Sequence, residues 1–178
     1  MTPDTGHPIR KRIRLAPDSY KQRQAYFVTV CTHEKQCILS VVDGQSVNLT
    51  KYGEIVRSAW LDLPNRFAGL VLDEYIIMPN HLHGILCFVG AGLARPSSAT
   101  KPATDLSLPN VMRVFKSIST VEMNRAFHTP GRPLWQRSYF DHVIRDAEDM
   151  RNHQRYIIEN PLRWASIQFP PRSGTIPK

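Results

Sequence analysis

The stretch Met78-Pro79-Asn80-His81-Leu82-His83-Gly84-Ile85-Leu86-Cys87-Phe88-Val89 decides how this chain is read. Pro79-Asn80 is turn chemistry. The apolar run behind it is short and reads as a strand. Val71 to Met78, before the turn, has the same character, and so short a connection joins two antiparallel neighbours. Side chains two apart on a strand share a face. His81 and His83 therefore emerge side by side at a strand's start. Neutral imidazole is the commonest protein metal ligand, and a pair so placed can grip a divalent ion. A histidine can also be a plain polar core residue, so the rest of the chain has to decide.

Outward from the hairpin, Tyr26 to Thr32 is rich in β-formers and reads as a first strand. Val41-Val42, a Gly44 turn and Val47-Leu49 suggest a short pairing segment. Thr50 is placed to N-cap a helix to about Leu63, with Ile55, Ala59 and Leu63 as its apolar stripe and Pro64-Asn65 as its stop. Ser107 is placed to cap another, with Pro109 in its first turn and Leu108, Val111, Met112, Phe115 and Ile118 facing inward. Leu134 to Ile144 reads as a fourth strand. Asp146 then caps a last helix that stops near Asn160-Pro161. Strand-helix-strand twice over is the ferredoxin-like split βαβ pattern, an α+β sandwich, with one helix added at the end.

The chain has 178 residues, enough for one domain with a real core. Residues 1–24 read as a basic N-terminal arm, 25–165 as the domain, 90–107 as a small-residue insertion, and 166–178 as a tail. No apolar run approaches 18 residues, which argues against a membrane span. No secretory signal pattern opens the chain. Three cysteines without C-x-x-C spacing fit a reduced, cytoplasmic setting. The net charge of +8 is uneven. Residues 1–24 carry +4, 25–90 carry −2, 91–129 carry +3 and 130–178 carry +3. Such a basic excess suits a polyanionic partner. Arg113, Lys116, Arg132, Arg137 and Arg145 are candidate phosphate contacts, claimed as a set rather than singly.

On the last helix, Asp149, His153, Tyr156 and Asn160 share one stripe, beside an apolar stripe of Ala147, Met150 and Ile157. Tyr156 thus borders the core on a polar face. His142 and His153 read most simply as structural or surface groups, and Cys87 as core packing.

Three ordered strings carry a family resemblance. They are Tyr75-Ile-Ile-Met-Pro-Asn-His-Leu-His-Gly-Ile85, Leu134-Trp-Gln-Arg-Ser-Tyr-Phe-Asp-His-Val-Ile-Arg-Asp146 and Tyr156-Ile-Ile-Glu-Asn-Pro161. Together they resemble the REP-associated tyrosine transposases, which are single-tyrosine HUH (His-hydrophobic-His) transposases, over roughly residues 25–165. The resemblance implies that His81, His83 and Asn160 hold a divalent metal, Mg²⁺ or Mn²⁺. It implies that Tyr156 is the nucleophile of a single-stranded DNA endonuclease and strand transferase, a DNA recombination enzyme acting in DNA transposition or on repeated hairpin elements. The partner it implies is single-stranded DNA, often with a hairpin beside the cut, and the active unit a monomer or homodimer. Tyr139 is the rival nucleophile, but strand alternation with Trp135 and Arg137 suits stacking or packing better. Two further readings compete. One is a non-catalytic single-strand binder of ferredoxin-like fold, stacking bases on its sheet. The other is a metal-dependent hydrolase in which water replaces tyrosine.

Overall fold

A computed structural model describes residues 24–89 and 106–168. All but the inner edges of the expected arm, insertion and tail lie outside the described residues. Strand β1 is Ala25–Cys31. Strands β2 (Ser40–Asp43) and β3 (Ser46–Leu49) form a separate hairpin. Helix α1 (Lys51–Leu61) and the short α2 (Leu63–Arg66) lead into β4 (Leu70–Met78) and β5 (His81–Phe88). Helix α3 (Leu108–Ala126), strand β6 (Phe140–Ile144) and helix α4 (Ala147–Gln168) complete the order. The main sheet runs β4-β5-β1-β6 with every neighbouring pair antiparallel. This is the ferredoxin-like arrangement that the element pattern predicts, with α4 added.

Alternation along the strands gives the sheet two different faces. Tyr26, Val28, Val30, Leu82, Leu86 and Phe88 join one apolar cluster with α1, α2 and α3. Phe27, Ile85 and Ile144 lie on the other face and meet Ile157 of α4 in a second, smaller cluster. In α1, Thr50 Oγ1 accepts from the Gly53 backbone N–H, the expected cap. Gly53 is required there, because a Cβ would lie 2.1 Å from the Leu39 carbonyl oxygen. Gly84 has a similar role inside β5: a Cβ would lie 2.4 Å from the Trp60 ring. Trp60 thus packs directly on the strand that bears the histidines.

Three boundaries differ from the sequence expectation. Pro64 does not end the helical run; it sits in the first turn of α2, where a missing N–H costs no helical bond. The fourth strand is only Phe140–Ile144. Upstream of it, Trp135 makes a lone bridge to Thr32, and its ring is buried with Nε1 donating to Ser119 Oγ at 2.8 Å. The supposed alternation of Trp135, Arg137 and Tyr139 along a strand therefore fails, and Tyr139 packs against the larger core. Finally, α4 continues through Pro161 to Gln168, so the expected tail begins helical. Pro161 is buried, and beyond it Trp164 lies against His81 with ring centroids 5.8 Å apart. That contact gives the extra turns something to pack on.

Candidate active site

Register fixes where the histidines point. Cross-strand partners project to the same face, and β1 pairs Thr29 with His83 and Cys31 with His81. Ile76 of β4 pairs with His83 from the other side. His81 and His83 share the parity of Ile85, so they face α4. Asp146 starts that helix by accepting the backbone N–H groups of Glu148 and Asp149. Gln154 Nε2 donates to Asp73 Oδ1 at 2.8 Å, tying α4 to β4 where a register shift interrupts the β4–β5 ladder.

The result is a tight polar group under α4. The His81 and His83 ring centroids are 4.5 Å apart. The Tyr156 ring centroid is 5.2 Å from that of His83. Asn160 is buried and its side chain hydrogen-bonds His81. Each imidazole is oriented through Nδ1. That of His83 meets Thr29 Oγ1 at 2.8 Å, and that of His81 meets Asn80 Oδ1 at 2.7 Å. Bonds of this kind fix the tautomer and leave Nε2 as the atom each ring can offer to a cation. Burial lowers the His81 pKa to about 4, opposed by the Asn160 bond. It lowers that of His83 to about 3, helped by the neighbouring His81. Both rings are therefore neutral lone-pair donors at pH 7. Two neutral imidazoles and an amide oxygen fit a divalent ion.

Around this group, Phe27 stacks on His83 at 5.3 Å and meets the Tyr156 ring edge-on at 5.9 Å. The Arg163 guanidinium carbon lies 5.2 Å from the Tyr156 ring centroid, and its Nη2 is 3.1 Å from Glu159 Oε2. Neither Arg163 nor Trp164 is found by a reading that ends the helix at Pro161. Their signal was positional: on a helix continued past the proline, they fall two turns after Tyr156.

The five candidate phosphate contacts are not gathered at this group. Arg113 is exposed on α3, across the sheet from α4, and donates to Asn110 Oδ1. Lys116, on the same helix, donates to the Gln136 and Arg137 carbonyls and so holds that loop. Arg132 and Arg137 are exposed. They flank the Leu134–Trp135 segment, which is tied to His33 and Thr32 at the end of the sheet where His81 begins β5. Arg145 is exposed at the β6–α4 junction. His142 and His153, read as structural or surface groups, both meet Asp149. Their convergence depends on the β1–β6 register, which no spacing in the chain discloses.

No protein-family model matches the chain. It is 30% identical over 175 residues to an uncharacterized protein of Haemophilus influenzae, covering 93% of this chain and 96% of that one. A 35-residue segment is 40% identical to a second Haemophilus influenzae protein, provisionally named a REP-associated tyrosine transposase; it spans 20% of each chain. Among solved structures, a REP-associated tyrosine transposase bound to a REP hairpin superposes with a TM-score of 0.58 at 19% identity, over 84% of this chain and 73% of that one. The chain thus belongs to one family with the uncharacterized Haemophilus influenzae protein, and it resembles the REP-associated tyrosine transposases, whose fold it shares.

Proposed function

We propose that this protein is a transposase-type enzyme that nicks and rejoins single-stranded DNA through Tyr156. The observation that carries the reading is the convergence of four residues from β5 and α4. His81 and His83 are 4.5 Å apart, Tyr156 is 5.2 Å from His83, and Asn160 bonds His81. A mere binding module has no need of that combination. The similarity to a transposase structure that holds a REP hairpin supports DNA as the substrate, and so does the basic balance of the chain.

His81, His83 and Asn160 would hold Mg²⁺ or Mn²⁺. Such an ion supplies Lewis-acid polarisation of a phosphate and offsets charge in the transition state. The chain's own residues do the rest. Tyr156 oxygen attacks the scissile phosphorus, the bond to the 3′ oxygen breaks, and a 5′-phosphotyrosine forms. The phenol proton leaves to solvent and the departing oxygen takes one up as a 3′-OH. One phosphodiester replaces another, so a second 3′-OH can reverse the step without an energy source. Phe27 and His83 hold the tyrosine ring against the sheet, which limits the motion of the attacking oxygen. Arg132, Arg137 and Arg145 are the exposed cations of the set best placed to hold the strand's phosphates.

The test is incubation with Mn²⁺ and labelled single-stranded DNA carrying hairpins from the flanks of the protein's own gene, resolved on a denaturing gel. The expected result is a covalent protein–DNA band that vanishes with chelator and in Tyr156→Phe. Binding with no covalent band on any flanking substrate would favour the non-catalytic single-strand binder. Cleavage surviving in Tyr156→Phe would favour water as nucleophile.

A further inference from the structure

A second donor cluster lies on the same sheet face, nearer the edge strand. Register pairs His142 of β6 with Phe27 of β1, so His142 projects towards α4. Asp149 sits in the first turn of α4 and His153 one turn later. The Asp149 carboxylate spans the two rings. Its Oδ2 is 2.9 Å from His142 Nε2, and its Oδ1 is 3.0 Å from His153 Nδ1. The rings themselves stack, with centroids 4.6 Å apart and planes 22° off parallel. Among the described residues, this is the group of three or more His, Cys, Asp or Glu side chains whose donor atoms come together, all within 4.8 Å of one another.

The geometry points to a second cation site formed by His142, Asp149 and His153, suited to Zn²⁺ or a chemically similar transition-metal ion, that staples the start of α4 to β6. Two imidazoles and one carboxylate are a borderline-soft donor set of the kind that takes zinc. At bond lengths near 2.1 Å, tetrahedral donors stand ~3.4 Å apart, so small side-chain rotations close the cluster on an ion. The carboxylate is already held, because the Arg145 backbone N–H donates to Asp149 Oδ2 at 3.1 Å. Without metal, the carboxylate–imidazole contacts are hydrogen bonds, and His153 Nδ1 is also 2.9 Å from the Asp149 backbone carbonyl. A metal takes the place of those shared protons. The side chains of His142, Asp149 and His153 are 33%, 22% and 21% exposed, so an ion can enter and keep a water or another ligand on its open side. The local charge suits a cation: between residues 141 and 149 of a chain of net +8, the acids Asp141, Asp146, Glu148 and Asp149 outnumber the one basic residue of that stretch, Arg145.

The site would bear on Tyr156 without touching it. His153 precedes the tyrosine by one helical turn, and the Phe27 ring packs on both, at 4.7 Å from His153 and 5.9 Å from Tyr156. An ion that fixes His153 against β6 therefore fixes the helix that carries the tyrosine. His142, Asp149 and His153 are positioning residues in this scheme.

The decisive experiment removes the other histidine pair first. The full-length His81→Ala/His83→Ala chain, stripped with chelator, is titrated with Co²⁺ and Zn²⁺. The expected result is one equivalent bound, with the visible absorption of four-coordinate Co²⁺ and a Zn²⁺-dependent rise in melting temperature. Adding His142→Gln, or separately Asp149→Asn, should weaken binding by at least about 10-fold and abolish the rise. Comparing both variants by circular dichroism without metal distinguishes loss of the site from loss of fold. No binding by the His81→Ala/His83→Ala chain overturns the proposal, as does binding that survives in both added variants. Neither result bears on covalent DNA capture by Tyr156, which the wild-type chain tests separately.

Discussion

The two faces of one sheet are built to different ends. The face under α1 and α3 is continuous and apolar, and Trp60, Phe115, Leu82 and Leu86 are fully buried there. The face under α4 has a small apolar patch of Phe27, Ile85, Ile144 and Ile157. Around that patch stand His81, His83, His153, Tyr156 and Asn160. Successive residues of one strand serve both: Leu82 seals the core between two histidines that face away from it. The difference teaches that one face supplies the stability that lets the other carry desolvated polar groups. Full burial of a large apolar side chain contributes roughly 1.5–3 kcal/mol, whereas a buried imidazole returns much of its burial as desolvation cost.

The comparison breaks most sharply on the polar side. His83→Ala should lower the yield of covalent protein–DNA product by at least about 100-fold. It should cost only about 1–2 kcal/mol in folding free energy, largely from the Thr29 hydroxyl left without its partner. Gel assays and urea melts on one preparation separate the two effects. A variant that loses stability and activity in proportion would sink the division of labour.

Trp60→Ala is the reciprocal test. It opens a cavity against Gly84 and Phe115 and should cost about 3–5 kcal/mol. The fraction that remains folded should keep its covalent yield per molecule. A folded Trp60→Ala chain that cannot form the product would mean that the apolar face also sets the histidine geometry, through Gly84.

The polar face also predicts an acid weakness in metal-free protein. His81 and His83 have folded pKa values depressed by burial to about 4 and about 3, below the 6.5 or so of an unfolded histidine. Below pH 6.5 the unfolded chain takes up protons that the folded chain refuses, so stability is full above that pH and falls as pH drops towards 4. In chelator, moving from pH 7 to pH 5 should cost on the order of 1–2 kcal/mol per histidine. Urea midpoints across that range, compared with those of His81→Ala/His83→Ala, check it. An identical pH slope in the two chains would refute the assignment.

The sequence made the sheet legible because its signals are local. A two-residue turn between two short apolar runs discloses the hairpin, and the two-residue period of a strand gives the shared direction of His81 and His83. Thr50 and Asp146 announce their helices by capping chemistry. The misread parts depend on contacts distant along the chain. Proline usually ends a helix, but α4 runs through Pro161 to a turn in which Trp164 lies on His81. Trp135 looks like a strand residue, yet it is buried by a bond to Ser119 of α3. Nothing local in the sequence brings His142 to His153; they meet only when β6 is set beside β1. In each case a long-range partner outweighs the local propensity.

The narrowest change, the loss of one oxygen atom, gives the most specific test. Thr29→Val keeps the shape and β-preference of the side chain and deletes the oxygen that meets His83 Nδ1 at 2.8 Å. If His83 uses Nε2 towards a metal, its Nδ1 must carry the proton, and the threonine oxygen is the acceptor that holds it there. Removing that acceptor frees the tautomer and the ring angle. Mn²⁺ affinity, read by calorimetry, should fall by about 10- to 100-fold. Thr29→Ser should restore most of it, because the hydroxyl returns. An unchanged affinity in Thr29→Val would mean that Phe27 stacking alone orients His83, and that the polar face is held by packing rather than by its hydrogen bonds.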